Sequence, residues 1–306
     1  MAGVFMEKIF DTIGEIITTD YKNTKIPVKL YRAAFSLLNE PPHLAAARRL
    51  CALRAGEEVL ILTGFVMSVN LHAETDGVIG AAQIANALSK SGVKVTFACA
   101  EQAVAALGAL LNDKNTEIIG ISTDSDEALH QGGTLLERKN FSLVLSVECP
   151  AANEKGIYHS CKGTDISAIE PKCSEVFDLC VSLGIYSVCV GDLGNEIGMG
   201  KVAEICNIPE LKTCACGCGA GIAAANAADI AVVGTTSEWG CYGILAAMCV
   251  LAENEEYLQS PFQEADLLNT AVANGLTDMT GEAVPAVDSI PLQVNCDIIK
   301  QLGNLV

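Results

Sequence analysis

The chain has 306 residues, half of them hydrophobic and 18% charged, which is enough apolar material for the core of a large α/β domain. A net charge of −18 argues against nucleic acid and anionic membranes as partners, and no uninterrupted apolar run reaches membrane-spanning length. Such acidity suits sites for cations or amines, although acidity alone mostly reports solubility.

In chain order, three helices come first: Phe5 to Thr18, Val28 to Leu38, and a third that resumes behind Pro41-Pro42 and runs through His43 to Leu53. Met1 to Asp20 is amphipathic and carries neither a secretory signal nor a transit-peptide pattern, so the cytoplasm is the expected compartment. Strand and helix then alternate. Val59 to Thr63, Val93 to Ala98, Glu117 to Ile121, Leu143 to Val147, Ile185 to Val190 and Ile230 to Val233 read as strands. Between them, Val78 to Ser91, Glu101 to Leu111, Pro171 to Leu183 and Tyr242 to Leu251 read as helices. Pro150 to Ile169 breaks the rhythm, with Tyr158 to Gly163 as a short strand or hairpin arm. The tail is helical from Pro261 to Asn274, loops through Asp278, Gly281 and Asp288, and ends in a helix from Leu292 to Leu302. This pattern predicts a mainly parallel sheet sandwiched by helices, a three-layer α/β/α fold. One domain over 1–306 is expected, with residues 1–55 as an N-terminal helical cap.

The most informative stretch is Gly191-Asp192-Leu193-Gly194-Asn195-Glu196-Ile197-Gly198-Met199-Gly200-Lys201. It sets strong oxygen acceptors among glycines directly after a predicted strand, where open α/β sheets bind ligands. Two further carboxylate loops follow strands: Glu74-Thr75-Asp76-Gly77, and Glu148 directly after Val147. Taken alone, Asp76 and Thr75 read as caps of the helix at Val78, and a single Glu148 means little. Together, three such loops meet on one edge of a parallel sheet, and acidic oxygens without histidine or thiolate favour Mg²⁺, Mn²⁺ or Ca²⁺ over zinc. Repulsion among the carboxylates calls for a cation or a cationic substrate group between them.

Other templates fail. The run from Gly194 to Lys201 has the wrong spacing for a P-loop, and Val202 stands where a Ser or Thr would hold Mg²⁺. The four histidines (His43, His72, His130, His159) are scattered; His72 and His159 lie near acidic loops, and solvent exposure is expected for both. Most of the 14 cysteines read as small buried hydrophobes of a reducing cytosol. Cys214-Ala215-Cys216-Gly217-Cys218 lacks the C-x-x-C spacing and the second pair of a zinc knuckle, so it reads first as a thiol-rich loop, with a metal or cluster role as the alternative. Trp239, among the glycines of Ser237 to Gly243, reads equally as a pocket wall or a core anchor.

Thr63-Gly64-Phe65, Glu74-Thr75-Asp76-Gly77, Ser146-Val147-Glu148, Gly191-Asp192 with Gly194 to Gly200, and Trp239-Gly240 with Tyr242-Gly243 together resemble the D-glutamate cyclase C-terminal-like family. The resemblance runs from about Ala47 to the end. Departures lie at Leu193, at Val78-Ile79, at Glu238 and at Cys149-Pro150. The upstream domain of longer members is expected to be absent.

The resemblance implies a lyase that closes D-glutamate to 5-oxo-D-proline with loss of water. On that reading Glu74 or Asp76 takes the amine proton, and Asp76, Glu148, Asp192 and Glu196 hold the cation. Thr75, Gly77, Asn195, Trp239 and Tyr242 contact the substrate, whose α-carboxylate rests at the helix after Gly77. Expected partners are this amino acid and further copies of the chain in a homo-oligomer. A metal-dependent hydrolase of a small, phosphorylated substrate and a non-catalytic amino-acid or cation binder remain the alternatives.

Overall fold

A computed structural model describes residues 2–306, with side chains from Met6 onward. Six strands form one parallel sheet: β1 (Glu58–Thr63), β2 (Lys94–Cys99), β3 (Glu117–Gly120), β4 (Phe141–Val147), β5 (Tyr186–Gly191) and β6 (Ile230–Val233). The spatial order is β3-β2-β1-β4-β5-β6, and every neighbouring pair is parallel. In this doubly wound order the strands are added to one side of β1 and then to the other, so the winding reverses between β1 and β4 and leaves a crevice beyond their carboxyl ends. Thr63 is in register with Val147, Val147 with Val190, and Gly191 with Val233, so the loops that follow emerge side by side.

Alternate residues of each strand serve opposite faces, and both faces are covered. Val59 and Ile61 of β1, with Val188 and Val190 of β5, join one core, while Leu60 and Leu62 join another and Cys189 a third. Burial on both sides explains why these strands are continuous apolar runs rather than alternating ones. The helices are α1 (Ala2–Ile17), α2 (Ile26–Leu38), α3 (Pro42–Cys51), α4 (Val78–Lys90), α5 (Val104–Leu110), α6 (Ser125–Arg138), α7 (Cys173–Ser182), α8 (Gly200–Cys206), α9 (Ser237–Ala252), α10 (Pro261–Ala273) and α11 (Leu292–Gly303). The α1 and α3 helices pack against α9, whereas α2 lies with α8. Helices therefore cover both sides of the sheet in three layers, as expected. No helix of the described residues is long and apolar enough to cross a membrane.

Three features depart from the pattern read in the sequence. The α6 helix buries only Ala128, Gly132 and Leu135, so its apolar stripe is thin. The short α8 helix follows the glycine-rich turn. Finally, α9 starts at Ser237, not Tyr242, because its glycines serve close packing rather than a turn. A Cβ on Gly240 would stand 2.6 Å from Val190, and one on Gly243 would stand 2.7 Å from Ile17. The loop around Asp288 is a small antiparallel hairpin of β7 (Ala286–Val287) and β8 (Ile290–Pro291).

Candidate active site

The loop after β1 returns to the crevice through Glu74 and Asp76. Thr75 is tied down on both sides, its N–H donating to Thr277 O at 2.9 Å and its hydroxyl to Ala286 O at 2.6 Å. The helix cap expected of Asp76 is real but belongs to another helix. Both Asp76 oxygens accept N–H groups from the first turn of α9, Ser237 at 3.0 Å and Glu238 at 2.7 Å. Glu238 reaches back to α4 and accepts the Gly80 N–H at 3.0 Å. Each helix thus neutralises its free N–H groups with a carboxylate from the other. At the α4 terminus assigned to a substrate α-carboxylate, the Gly80 N–H is therefore taken by Glu238.

Glu148 follows β4 at φ 39°, a left-handed conformation that costs a non-glycine residue about 1–3 kcal/mol. Its carboxylate accepts the Ser237 hydroxyl at 2.5 Å. Gly77, at φ 78°, makes room for it: a Cβ there would fall 2.3 Å from the Glu148 Cβ. After β5 the chain folds back on itself, so that Glu196 accepts N–H groups from Leu193 at 3.0 Å and Gly194 at 2.7 Å. Asn195 donates its side-chain amide to His159 O at 3.0 Å. From the far side the hairpin turn brings Asp288 and Ser289, both at positive φ, towards the same space. Lys22, from the α1–α2 connection, forms an ion pair with Asp288.

These groups surround a cavity of about 180 Å³ whose walls include Glu74, Glu148, Asp192, Asn195, Glu196 and Asp288. One oxygen each of Glu148, Asp192 and Glu196 lies within 4.8 Å of the other two, and the same holds for Asp76, Asp192 and Asp288. Asp192 links the two sets. Burial, reinforced by neighbouring carboxylates, holds Glu74, Glu148 and Asp192 well above the usual carboxylate range. Asp76 is pushed up to about 8 by burial and then by Asp288, against the pull of its two N–H donors. Burial lowers the proton affinity of Lys22, but Asp288, Asp192 and Asp76 outweigh it and raise the net value. An all-oxygen donor set of this density suits a hard divalent cation. A larger, open hollow of about 640 Å³ beside α10 and α11 has no such cluster; its carboxylates, Glu255 and Glu256, face solvent.

Of the four residues expected to hold a cation, Glu148, Asp192 and Glu196 come together on the cavity wall with Glu74 and Asn195, whereas Asp76 approaches Asp192 and Asp288 from behind it. Trp239 and Tyr242 do not line it. Both are fully buried in the core, Trp239 donating to Asn295 at 2.7 Å and Tyr242 to Glu264. Thr75 and Gly77 shape the loop from behind. His72 is exposed, whereas His159 is wholly buried, against expectation. The sequence reading did not single out Asp288, Lys22 or Ser237 as site residues. Asp288 and Ser289 make the tight turn without the glycine that usually marks one, so neither they nor Lys22 carried a local signal.

Fold and site define an α/β protein of doubly wound order with an acidic cavity at its topological switch point. The chain belongs to the D-glutamate cyclase-like, C-terminal family, whose profile matches residues 13–303. It is 26% identical over 228 residues to the mitochondrial D-glutamate cyclase of Homo sapiens, an alignment covering 68% of this chain and 36% of that protein. The chain therefore spans about a third of that relative. Among solved structures, a Serratia marcescens short-chain dehydrogenase/reductase is 10% identical at a TM-score of 0.31, covering 82% of this chain and 90% of its own. A mutant Serratia marcescens enzyme of the same class is 14% identical at 0.30, covering 50% and 63%.

Proposed function

We propose that this chain cyclises D-glutamate to 5-oxo-D-proline, and that Glu74 is the group that moves the proton. The supporting observation is Glu74 itself. It is a buried carboxylate on the cavity wall, it accepts no hydrogen bond from the described residues, and its proton affinity is raised. Asp76, the other candidate base, has both oxygens engaged by the α9 terminus. A carboxyl group whose proton affinity is raised by burial and neighbouring carboxylates is a better base, once ionised, than an ordinary carboxylate towards an ammonium group.

Lactam closure forms a bond from the α-nitrogen to the γ-carbon and breaks one γ C–O bond. The ammonium group gives up two protons, and they leave with the γ-oxygen as water. In its ionised form Glu74 accepts the two ammonium protons one after the other and returns each to the departing oxygen. The amide of Asn195 is committed to His159 O, so its carbonyl oxygen is left to accept from the substrate nitrogen. Residues 77–80 at the start of α4 do not line the cavity, so Lys22 on its wall is the group that fits the α-carboxylate. A hard cation (Mg²⁺, Mn²⁺ or Ca²⁺) held by Asp76, Glu148, Asp192 and Glu196 would neutralise the γ-carboxylate and make its carbon a better electrophile.

The direct test is incubation of the full chain with D- or L-glutamate and Mn²⁺ or Mg²⁺, followed by chiral chromatography. The reading expects 5-oxo-D-proline from the D isomer and none from Glu74→Gln. Equal, background-level product from both proteins would reject it.

A further inference from the structure

A second cluster of ligating side chains lies behind the cavity wall, and its chemistry is the opposite of the acidic site. His159 Nε2 is 3.1 Å from Cys216 Sγ and 3.9 Å from Cys218 Sγ. Cys214 Sγ stands 3.4 Å from Cys216 Sγ and 3.5 Å from Cys218 Sγ. All four ligand atoms lie within 4.8 Å of one another. In a tetrahedral zinc site with Zn–S bonds of about 2.3 Å, sulfur atoms are roughly 3.7 Å apart. The four atoms therefore stand close to the corners that a single small ion needs.

We propose that His159, Cys214, Cys216 and Cys218 form a mononuclear site for a thiophilic divalent cation, Zn²⁺ foremost. The surrounding structure is built to hold the two segments together. Gly163, four residues after His159 in the loop closed by the His159–Asp165 bridge, accepts N–H groups from Ala215 at 2.8 Å and Cys216 at 3.3 Å. It must be glycine there, because a Cβ would lie 2.8 Å from the Cys214 backbone. Asn153 donates one amide to Cys218 Sγ at 3.3 Å and to Gly221 O at 2.7 Å, the kind of outer contact that orients a ligating thiolate. The loop has no apolar payload of its own: Ala215, Gly217 and Gly219 are small and exposed. His159 by contrast is fully buried with its Nε2 turned towards the sulfurs.

Zinc is favoured over an iron–sulfur cluster because thiolates on separate irons sit farther apart than thiolates sharing one ion. Three thiolates with one imidazole also match closed structural zinc sites. The consequence for the molecule is mechanical. The same loop carries Ser160 and Cys161 into the acidic cavity, and Asn195 is bonded to His159 O. An ion at the cysteine loop would fasten one wall of the candidate active site.

The full chain is purified under reducing conditions from zinc-supplemented cells, and its metal content is measured by mass spectrometry. One zinc per chain is expected, falling to near zero in Cys216→Ser and His159→Ala and unchanged in Cys51→Ser and Asp192→Asn. Replacement of zinc by Co²⁺ in the unmutated protein should give the intense visible bands of tetrahedral cobalt with thiolate charge transfer, which guards against variants that fail to fold. Zinc retained by Cys216→Ser, zinc lost in Asp192→Asn alone, iron with labile sulfide, or no metal uptake by fully reduced protein would each overturn the proposal.

Discussion

Asp76 and Glu238 each close the end of the other's helix. Asp76 precedes α4 and accepts two N–H groups of α9; Glu238 lies in the first turn of α9 and accepts one from α4. Asp76→Ala would leave two buried N–H groups without an acceptor, at about 1–3 kcal/mol for each. Because the two carboxylates fix one junction, Asp76→Ala combined with Glu238→Ala should be less harmful than the sum of the single changes, by at least about 0.5 kcal/mol. Urea unfolding of the four proteins measures this. Strict additivity would mean that the two helix ends are independent.

Gly77 and Glu148 compete for one volume. Gly77→Ala adds a Cβ 2.3 Å from that of Glu148 and forces an L-residue into φ 78°. The conformation alone costs about 1–3 kcal/mol, and the overlap adds to it by displacing Glu148. The variant should unfold at lower urea and bind divalent cations more weakly, as calorimetry would read. Wild-type cation affinity in a folded Gly77→Ala protein would count against Glu148 as a ligand.

The acidic cluster makes stability depend on pH in an unusual direction. Asp76 moves from its ordinary 3.8 to about 8 on folding, and Glu74, Glu148 and Asp192 shift the same way. Protons bind the folded state more tightly than the unfolded one. The resulting stabilisation is complete below about pH 4 and is lost as the pH rises through about 8. In chelator the melting temperature should therefore fall across that interval. A divalent cation needs the ionised carboxylates, so added Mn²⁺ should stabilise most at the alkaline end and flatten or reverse the decline. A chelated protein that grows more stable from pH 5 to about 8 would contradict the shared, repulsive site.

What the sequence disclosed follows from which forces are local. β1, β4 and β5 are apolar runs ended by Thr63-Gly64, Glu148 and Gly191, so both the strands and the carboxylates at their ends were readable. Parallel topology then brought Asp76, Glu148, Asp192 and Glu196 to one edge. The start of α9 was not readable, because Gly240 and Gly243 look like turn residues until Val190 and Ile17 are seen against them. Trp239 fell to the core for a reason that lies far along the chain, its bond to Asn295. Asp288 and Lys22 reach the cavity from segments separated in sequence by 266 positions, and periodicity carries no such information. The partner of the cysteine loop was hidden in the same way: His159 precedes Cys216 by 57 residues and reads alone as an isolated histidine.

Lys22 is the cationic side chain on the cavity wall, and its role separates substrate binding from cation binding. It is paired with Asp288, and its charge is favoured by Asp192 and Asp76 despite partial desolvation at the cavity mouth. If it receives the α-carboxylate of the substrate, Lys22→Ala should raise KM for D-glutamate roughly tenfold, the equivalent of about 1.4 kcal/mol. The effect on kcat should be smaller, because the lysine lies away from the bond being formed. Removing one positive charge also leaves the carboxylates less neutralised, so Mn²⁺ should bind the variant more tightly, not less. Lys22→Arg keeps the charge and should recover most of the KM. Steady-state kinetics paired with calorimetry reads both quantities on the same protein. A variant with unchanged KM and weakened Mn²⁺ binding would instead make Lys22 a brace for Asp288, and the α-carboxylate would then need a different partner.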